Sequence, residues 1–447
     1  MLKKVLIANR GEIACRIIRG CKSLNIKTVA IYSEADAAAL HVTEADEAVP
    51  AGPSAVAQSY LRADRIVELA KSTGADAVHP GYGLLSENAE FARLCQDAGL
   101  VFVGPPVSSI AKMGNKVSAR AIAAQAGIPV APGTKDVVES AQTAIEAAHQ
   151  IGFPVMLKAS AGGGGIGMVV AYDEETLLQA FASSVKRVQS YFGDGAMYVE
   201  KFITQPRHVE IQILADTHGN ALHFGERECS IQRRHQKIVE EAPSPAVSRE
   251  LRQRMGESAL RLVRELGYTG VGTVEFLLDG NGQYYFLEMN TRLQVEHPVT
   301  EEAYGVDLVE WQLRVAAGER LAPDLFGREP VQHAIECRIC AEDPVRFLPS
   351  PGQVTTLRLP EGAGIRHEIG IREGDFISPY YDPMFAKVIV SGATRDEACS
   401  RMADTLARYE VGGVKTNIPL LARILADEEF LRGRTHTAFL QARGFMA

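Results

Sequence analysis

Along the first hundred residues, short apolar runs alternate with amphipathic stretches: VLIA, then GEIACRIIRGCKSLNI, then TVAIY. That rhythm predicts βαβ units on a parallel sheet, continuing through ADAVHPGYG and LVFVGP to about Met113. From about Asn115 to Gln205 a further α/β segment is expected, and after it strand-rich sequence in HVEIQILAD and TVEFLLDGNGQYYFLEMN. Asp279-Gly280-Asn281-Gly282 punctuates the last of these as a hairpin turn. Beyond about Pro330 the pattern turns β-rich with glycine and proline turns, and it closes with helical periodicity in DEACSRMADTLARY.

A chain of 447 residues exceeds what one core organises, so two to four structural units are expected. The net charge of −8 makes general binding to nucleic acid or anionic membrane unfavourable, so any anionic ligand needs a local basic pocket. The N-terminal MLKKVLIANRGE has too short an apolar run for a signal peptide, and no stretch of about 20 apolar residues predicts a membrane span. Seven scattered cysteines point to free thiols in a reducing compartment, by default the cytosol.

The first strand leads into Asn9-Arg10-Gly11-Glu12, which lacks GxGxxG and argues against a dinucleotide site. A different loop carries the glycines: Ala161-Gly162-Gly163-Gly164-Gly165-Ile166-Gly167 lies between the strand-like FPVMLKAS and MVVAY. A hairpin tip of this kind offers free backbone N–H groups to phosphate oxygens; with no Lys-Ser/Thr after it, it is not a P-loop. Lys158, just before it, becomes a charge partner for phosphate in that setting.

The densest chemistry lies in Glu288-Met289-Asn290-Thr291-Arg292-Leu293-Gln294-Val295-Glu296. In an extended chain alternate side chains share a face, so Glu288, Asn290, Arg292, Gln294 and Glu296 should project together while Met289, Leu293 and Val295 pack inward. Glu275 on the preceding strand would join Glu288 and Asn290 as hard oxygen ligands suited to Mg²⁺ held with nucleotide phosphates. Arg292 and Glu296 would then hold a small anion and remove its proton. In GERECSIQRRHQKIVEEAP the charges balance, as on a solvated face, although its cations also suit phosphate and bicarbonate. Cys337-Arg338-Ile339-Cys340 has no second pair at zinc spacing, and Arg338 is its more interesting member.

Taken in order, ANRGEIACR, HPGYGLLSEN, GGGGIGM, RHVEIQ, ERECSIQRRHQKIVEEAP, LEMNTRLQVEHPVTE, AEDP with FLPSPG, YYDPMFAKVIV and VKTN resemble the biotin carboxylase family over nearly the whole chain. The resemblance implies a Rossmann-like domain over 1–114, an ATP-grasp domain over 115–330 with a mobile glycine-rich lid at about 131–203, and a β-rich C-terminal domain over 331–447. It implies ATP contacts at Lys116, Lys158, the loop glycines Gly163, Gly164 and Gly165, His208, Gln232 and His235, with Glu200, Lys201, Ile203 and Leu277 around the adenine. Glu275, Glu288 and Asn290 match the family's Mg²⁺ (or Mn²⁺) site. Lys237, Arg292, Gln294 and Val295 match the bicarbonate pocket, Glu296 the general base and Arg338 the group that steadies the biotin enolate, with Tyr82 a further candidate for biotin contact.

The implied reaction is carboxylation of biotin N1 through carboxyphosphate, as the first half-reaction of an acyl-CoA carboxylase, with acetyl-CoA the expected acceptor. The sequence has no Met-Lys-Met signature, so biotin is expected on a separate carrier protein, with carboxyltransferase subunits as partners and a homodimer as the family's assembly. Two departures stand out: Ile166 where the family loop carries a cation, and Ala161 where it favours glycine. A lost phosphate donor can cost ~3 kcal/mol of transition-state stabilisation, so Ile166→Arg is expected to raise turnover or lower the KM for ATP. The rival readings are a regulatory nucleotide-binding homologue with impaired turnover, an ATP-grasp ligase acting on a different nucleophile, and a subunit serving another acceptor.

Overall fold

The computed structural model describes residues 2–160, 168–193 and 195–446. The N-terminal strand Lys4–Ile7 sits in the middle of a five-stranded parallel sheet, between Lys27–Ser33 and Ala77–His79, with Glu47–Gly52 and Val101–Phe102 at the edges. Val5, Leu6 and Ile7 are all fully buried, as a strand covered on both faces requires. The helix Gly11–Ser23 that follows buries Ile13, Ile17 and Cys21 along one face. Asn9 Nδ2 donates to Pro80 O and Tyr82 O, both at 2.8 Å, and so fixes the first strand-to-helix turn against the loop after Ala77–His79. Open α/β sheets present ligands at this carboxyl end of their strands.

A small antiparallel sheet follows, with Val155–Ala159 between Val169–Ala171 and Met197–Lys201. Helices Ala141–Ile151 and Glu174–Phe192 cover it, and Val155, Leu157, Leu177 and Val199 form its own core. The two strands flanking the glycine loop pair antiparallel as expected, Val155 opposite Ala171. The loop itself, with Gly163, Gly164, Gly165 and Ile166, lies outside the described residues.

The largest sheet has eight antiparallel strands. Across it run Tyr284–Asn290, Gly270–Leu278, Arg207–Ala215, Ala221–Arg233, Gln236–Ala242, His333–Cys340, Met384–Gly392 and Ile365–Ile369. The hairpin expected at Asp279–Gly282 is present, with Asp279 N–H donating to Gln283 O at 2.8 Å. Strands from both sides of residue 330 share this sheet, because Gln236–Ala242 pairs directly with His333–Cys340. The late amphipathic stretch is the helix Arg395–Arg408, which buries Cys399, Met402 and Leu406 against the sheet. Among the described residues no helix is long and apolar enough to cross a membrane.

Two local expectations are corrected. The strand ends at Asn290, and residues 291–296 run irregularly into the helix His297–Tyr304. The charged stretch 226–241 is not a solvated face: Glu226, Arg227, Glu228, Glu240 and Glu241 are all buried, on two paired strands joined by a tight turn.

Candidate active site

One face of the eight-stranded sheet carries a row of ionisable side chains, set by strand register. Glu288 lies opposite Glu275, Glu275 opposite Glu210, and Glu210 opposite Arg227. Further along, Glu240 lies opposite Glu336, and Arg338 opposite Lys387. A cleft of about 780 Å³ opens over this row, with Asn9, Gly11, Glu12 and Tyr82 of the N-terminal unit on its other side.

At the centre, Lys237 Nζ donates to three carboxylates: Glu210 Oε2 at 2.6 Å, Glu296 Oε1 at 2.7 Å and Glu275 Oε1 at 2.8 Å. Arg338 takes the other oxygen of Glu296, Nη2 to Oε2 at 2.9 Å, while its Nε donates to Glu240 Oε1 at 2.6 Å. Arg227, completely buried, donates through Nε to Glu210 Oε1 at 2.6 Å and anchors the cluster from below. Buried charges survive only when paired and hydrogen-bonded, and here each cation serves at least one carboxylate.

The second group surrounds Glu275. Asn290 Nδ2 donates to its Oε1 at 2.8 Å, Gln294 Nε2 to the same oxygen at 3.2 Å, and His208 Nε2 lies 2.8 Å from Oε2. His208 Nδ1 is 2.7 Å from the amide nitrogen of Gln232. Arg292 is fixed by Asn290 Oδ1 at 3.0 Å, Gln294 Oε1 at 3.1 Å and Glu87 Oε2 at 2.8 Å. Glu288 is the more open carboxylate, with Lys116 Nζ at 3.7 Å.

The electrostatics follow from this arrangement. Burial pushes the Glu296 carboxyl up, but Lys237, Arg338 and Arg227 outweigh it and hold the group well below the usual carboxylate range. Burial likewise raises Glu275, yet Lys237 and His208 keep it ionised. Burial would lower Lys237, but Glu210, Glu275 and Glu296 hold its ammonium well above the ordinary lysine value. At Glu240 burial dominates, and despite Arg338 the carboxyl is pushed up to about 7. A buried cluster of perturbed groups in a cleft is the usual physical mark of a reacting centre.

Among the residues expected at the site, Lys116, Tyr82, His208, Gln232, His235, Lys237, Glu275, Glu288, Asn290, Arg292, Gln294, Val295, Glu296 and Arg338 all line this one cleft. Lys158 and Glu200 are ion-paired across the small sheet instead, with Arg120 Nη1 3.0 Å from the other Glu200 oxygen. Lys201 donates to Gly152 O at 2.9 Å, and Ile203 follows that strand's end. Leu277 lies opposite His208 but does not line the cleft. The face shared by 288–296 arises differently from the expectation, since an irregular turn and not a strand brings Arg292, Gln294 and Glu296 round. Val295, expected to pack inward, lines the cleft.

Sequence reasoning missed Glu210, and it placed Arg227 and Glu240 in a charge run read as a solvated face, where the structure buries both. The signal for Glu210 was present, since His208, Glu210 and Gln212 alternate with Val209, Ile211 and Ile213 as do the even positions of 288–296. Glu12, Glu87 and Lys387 carry no local signal, because distant elements bring them in.

Comparison with known proteins agrees with the geometry along the whole chain. Residues 1–110 match the biotin carboxylase N-terminal domain, 115–323 the carbamoyl-phosphate synthase L chain ATP binding domain, and 336–442 the biotin carboxylase C-terminal domain. A biotin carboxylase of Halalkalibacterium halodurans is 56% identical over 441 residues, covering 98% of this chain and 97% of that one. The biotin carboxylase of Campylobacter jejuni, solved as a β-γ-ATP complex, superposes with a TM-score of 0.96 at 41% identity over 99% of both chains. The biotin carboxylase domain dimer of the Hydrogenobacter thermophilus 2-oxoglutarate carboxylase, solved with MgADP, ADP and bicarbonate, gives a TM-score of 0.95 at 46% identity over 100% of this chain and 99% of that one. With three domain families matched in order and identity above half over nearly its full length, the chain belongs to the biotin carboxylases, ATP-dependent ligases of the ATP-grasp class.

Proposed function

We propose that the cleft carboxylates N1 of biotin, using ATP and bicarbonate, with Glu296 as the base and Lys237, Arg292 and Arg338 as the cations around the reacting oxygens. The observation that carries this reading is the capture of both Glu296 oxygens by separate cations, Lys237 at 2.7 Å and Arg338 at 2.9 Å. This keeps Glu296 ionised as a proton acceptor but weakens it as a base, and the same two cations, set where the resulting dianion develops charge, supply the driving force for the transfer. That dianion attacks the γ-phosphorus of ATP, the bond to the β-γ bridging oxygen breaks and ADP leaves, giving carboxyphosphate, with Arg292 and Gln294 orienting the oxyanion. Phosphate released from carboxyphosphate deprotonates biotin, and Arg338 stabilises the enolate that captures CO₂.

Glu275 and Glu288 face each other on paired strands with Asn290 beside them. The Asn290 amide nitrogen meets Glu275 and its oxygen meets Arg292; turned over, the amide would complete a hard oxygen set that fits Mg²⁺ or Mn²⁺. When bound there, the ion would neutralise phosphate charge. Lys116, His208, Gln232 and His235 are proposed to contact ATP in the cleft, with Lys158, Gly163, Gly164, Gly165, Glu200, Lys201, Ile203 and Leu277 completing the nucleotide site. Tyr82 is proposed to meet biotin. The units of this reading are 1–114, 115–330 and 331–447.

The acceptor is proposed to be an acyl-CoA, with acetyl-CoA first. The related domain of a 2-oxoglutarate carboxylase is the observation that favours testing other acceptors too. A biotin carrier protein, carboxyltransferase subunits, a homodimer and a cytoplasmic location complete the proposal. The test is ADP release by purified protein with Mg-ATP and bicarbonate, with and without free biotin. Bicarbonate-dependent release stimulated by biotin is expected, and ATP binding without such turnover would overturn the reading in favour of a regulatory homologue.

A further inference from the structure

Lys387, on the strand Met384–Gly392, is a fully buried lysine that no step of the proposed reaction uses. Its ammonium meets three groups from three parts of the chain. Nζ donates to Val295 O at 2.7 Å, lies 3.2 Å from Glu12 Oε1, and stands 5.9 Å from the ring centre of Tyr82. Tyr82 in turn donates its hydroxyl to Glu12. Burying an ammonium costs several kcal/mol before pairing, and Glu12 offsets much of that. A plain structural ion pair would need nothing more.

The hydrogen bond to Val295 asks for another explanation. That carbonyl belongs to the peptide immediately before Glu296, the N-cap of the helix His297–Tyr304. Gln294 O and Glu296 O on either side are held by His297 and by Val299 N–H, and Lys387 holds the carbonyl between them. Rotation of this one peptide would swing the Glu296 carboxylate away from Lys237 and Arg338. The strand carrying Lys387 pairs with the strand carrying Arg338, residue opposite residue. The same sheet register therefore holds both Arg338 and the peptide that aims its partner Glu296. Close docking of the N-terminal helix completes the support: a Cβ at Gly370 would overlap the Glu12 backbone nitrogen, so helix and C-terminal unit touch without an intervening side chain.

We propose that Lys387 is a positioning residue for the reaction, holding the 295–296 peptide so that Glu296 faces Lys237 and Arg338, with Glu12 as its counter-ion. This rests on the assignment of Glu296 as the base. The test compares the wild-type chain with Lys387→Met and Lys387→Gln, reading kcat, the KM for ATP, the KM for bicarbonate and the urea unfolding midpoint. A misplaced base costs about 10- to 100-fold in kcat. That loss is expected in both variants at temperatures where they are fully folded, together with a raised KM for bicarbonate and a KM for ATP within about twofold of wild type. Should Lys387→Met fail to fold, Lys387→Gln keeps a short donor and reads the same split. Wild-type kcat in a folded variant, or equal changes in both KM values, overturns the positioning role. A wild-type chain without bicarbonate-dependent ADP release overturns the functional reading instead.

Discussion

Arg338 is shared between two buried carboxylates, Glu296 and Glu240, and that sharing separates what its removal does to activity from what it does to stability. In the proposed mechanism Lys237 and Arg292 also hold the bicarbonate oxygens, whereas Arg338 alone is assigned to the enolate, so Arg338→Ala should abolish biotin carboxylation while much of the bicarbonate-dependent ATPase remains. Equal loss of the two activities would contradict that division. The variant also leaves Glu240 buried without its cation. Burial already pushes that carboxyl up to about 7, so without Arg338 it takes a proton, and the variant should lose stability relative to wild type as pH rises above 7, measured by chemical denaturation. Two buried histidines make a separate prediction. Burial depresses His41 to about 4 and His79 to about 3, so both are neutral in the folded protein at pH 5 but protonated in the unfolded chain, where a histidine titrates near 6.5. The unfolded state then binds more protons, and stability is lost as pH falls below 6.5. Each histidine should remove about 2 kcal/mol between pH 7 and pH 5. In His41→Gln the loss over that interval should be smaller by that amount, measured by urea unfolding at both pH values.

At the scale of the element, the turn between Ala221–Arg233 and Gln236–Ala242 is unusual. Arg234 and His235 both adopt left-handed conformations, φ 49° and 67°, where hairpins favour Asn-Gly. Each such residue costs of order 1 kcal/mol, a strain tolerated here where His235 reaches the cleft. Replacing the pair by Asn-Gly should raise the thermal midpoint by a few °C, about 2–4 °C per kcal/mol for a chain of this size or less, while raising the KM for ATP. A higher midpoint with an unchanged KM would remove His235 from the nucleotide site. The segment 288–296 teaches a related lesson. Its alternation correctly grouped Glu288, Asn290, Arg292, Gln294 and Glu296, but alternation cannot distinguish a strand from an irregular turn that docks the same residues. The contacts to Glu87 and Lys387, more than 90 residues away in sequence on either side, are what shape that turn.

For the whole molecule, the eight-stranded sheet is the organising fact. It collects the chemistry of strands spread from Arg207 to Gly392 onto one face, and the N-terminal unit closes the other side of the cleft. Arg10 reinforces that closure, donating to Asp36 at 2.6 Å while its guanidinium stacks 4.1 Å above the Tyr381 ring. The seven cysteines report on the integrity of the same packing. All are free and buried, and burial raises their thiols, with Cys399 at about 11 and Cys21 and Cys95 at about 12. Native protein should therefore react with less than about one equivalent of a thiol reagent in minutes at pH 8, and all seven should react after denaturation. Rapid labelling of several thiols in the folded protein would show that local opening reaches these cores.

By itself the sequence determined the parallel N-terminal sheet, the hairpin at Asp279–Gly282, the pairing of Glu275 with Glu288 and Asn290, and the family, because apolar periodicity, turn residues and ordered motifs act over short spans of chain. Only the tertiary structure decided that Glu210 and Glu240 join the charge cluster, that residues 291–296 form no strand, and that Glu12 and Lys387 meet behind Val295. Those contacts depend on which strands become neighbours and on which buried charge finds which partner. That choice is made by the pairing of distant segments and leaves no mark in any one window of the sequence.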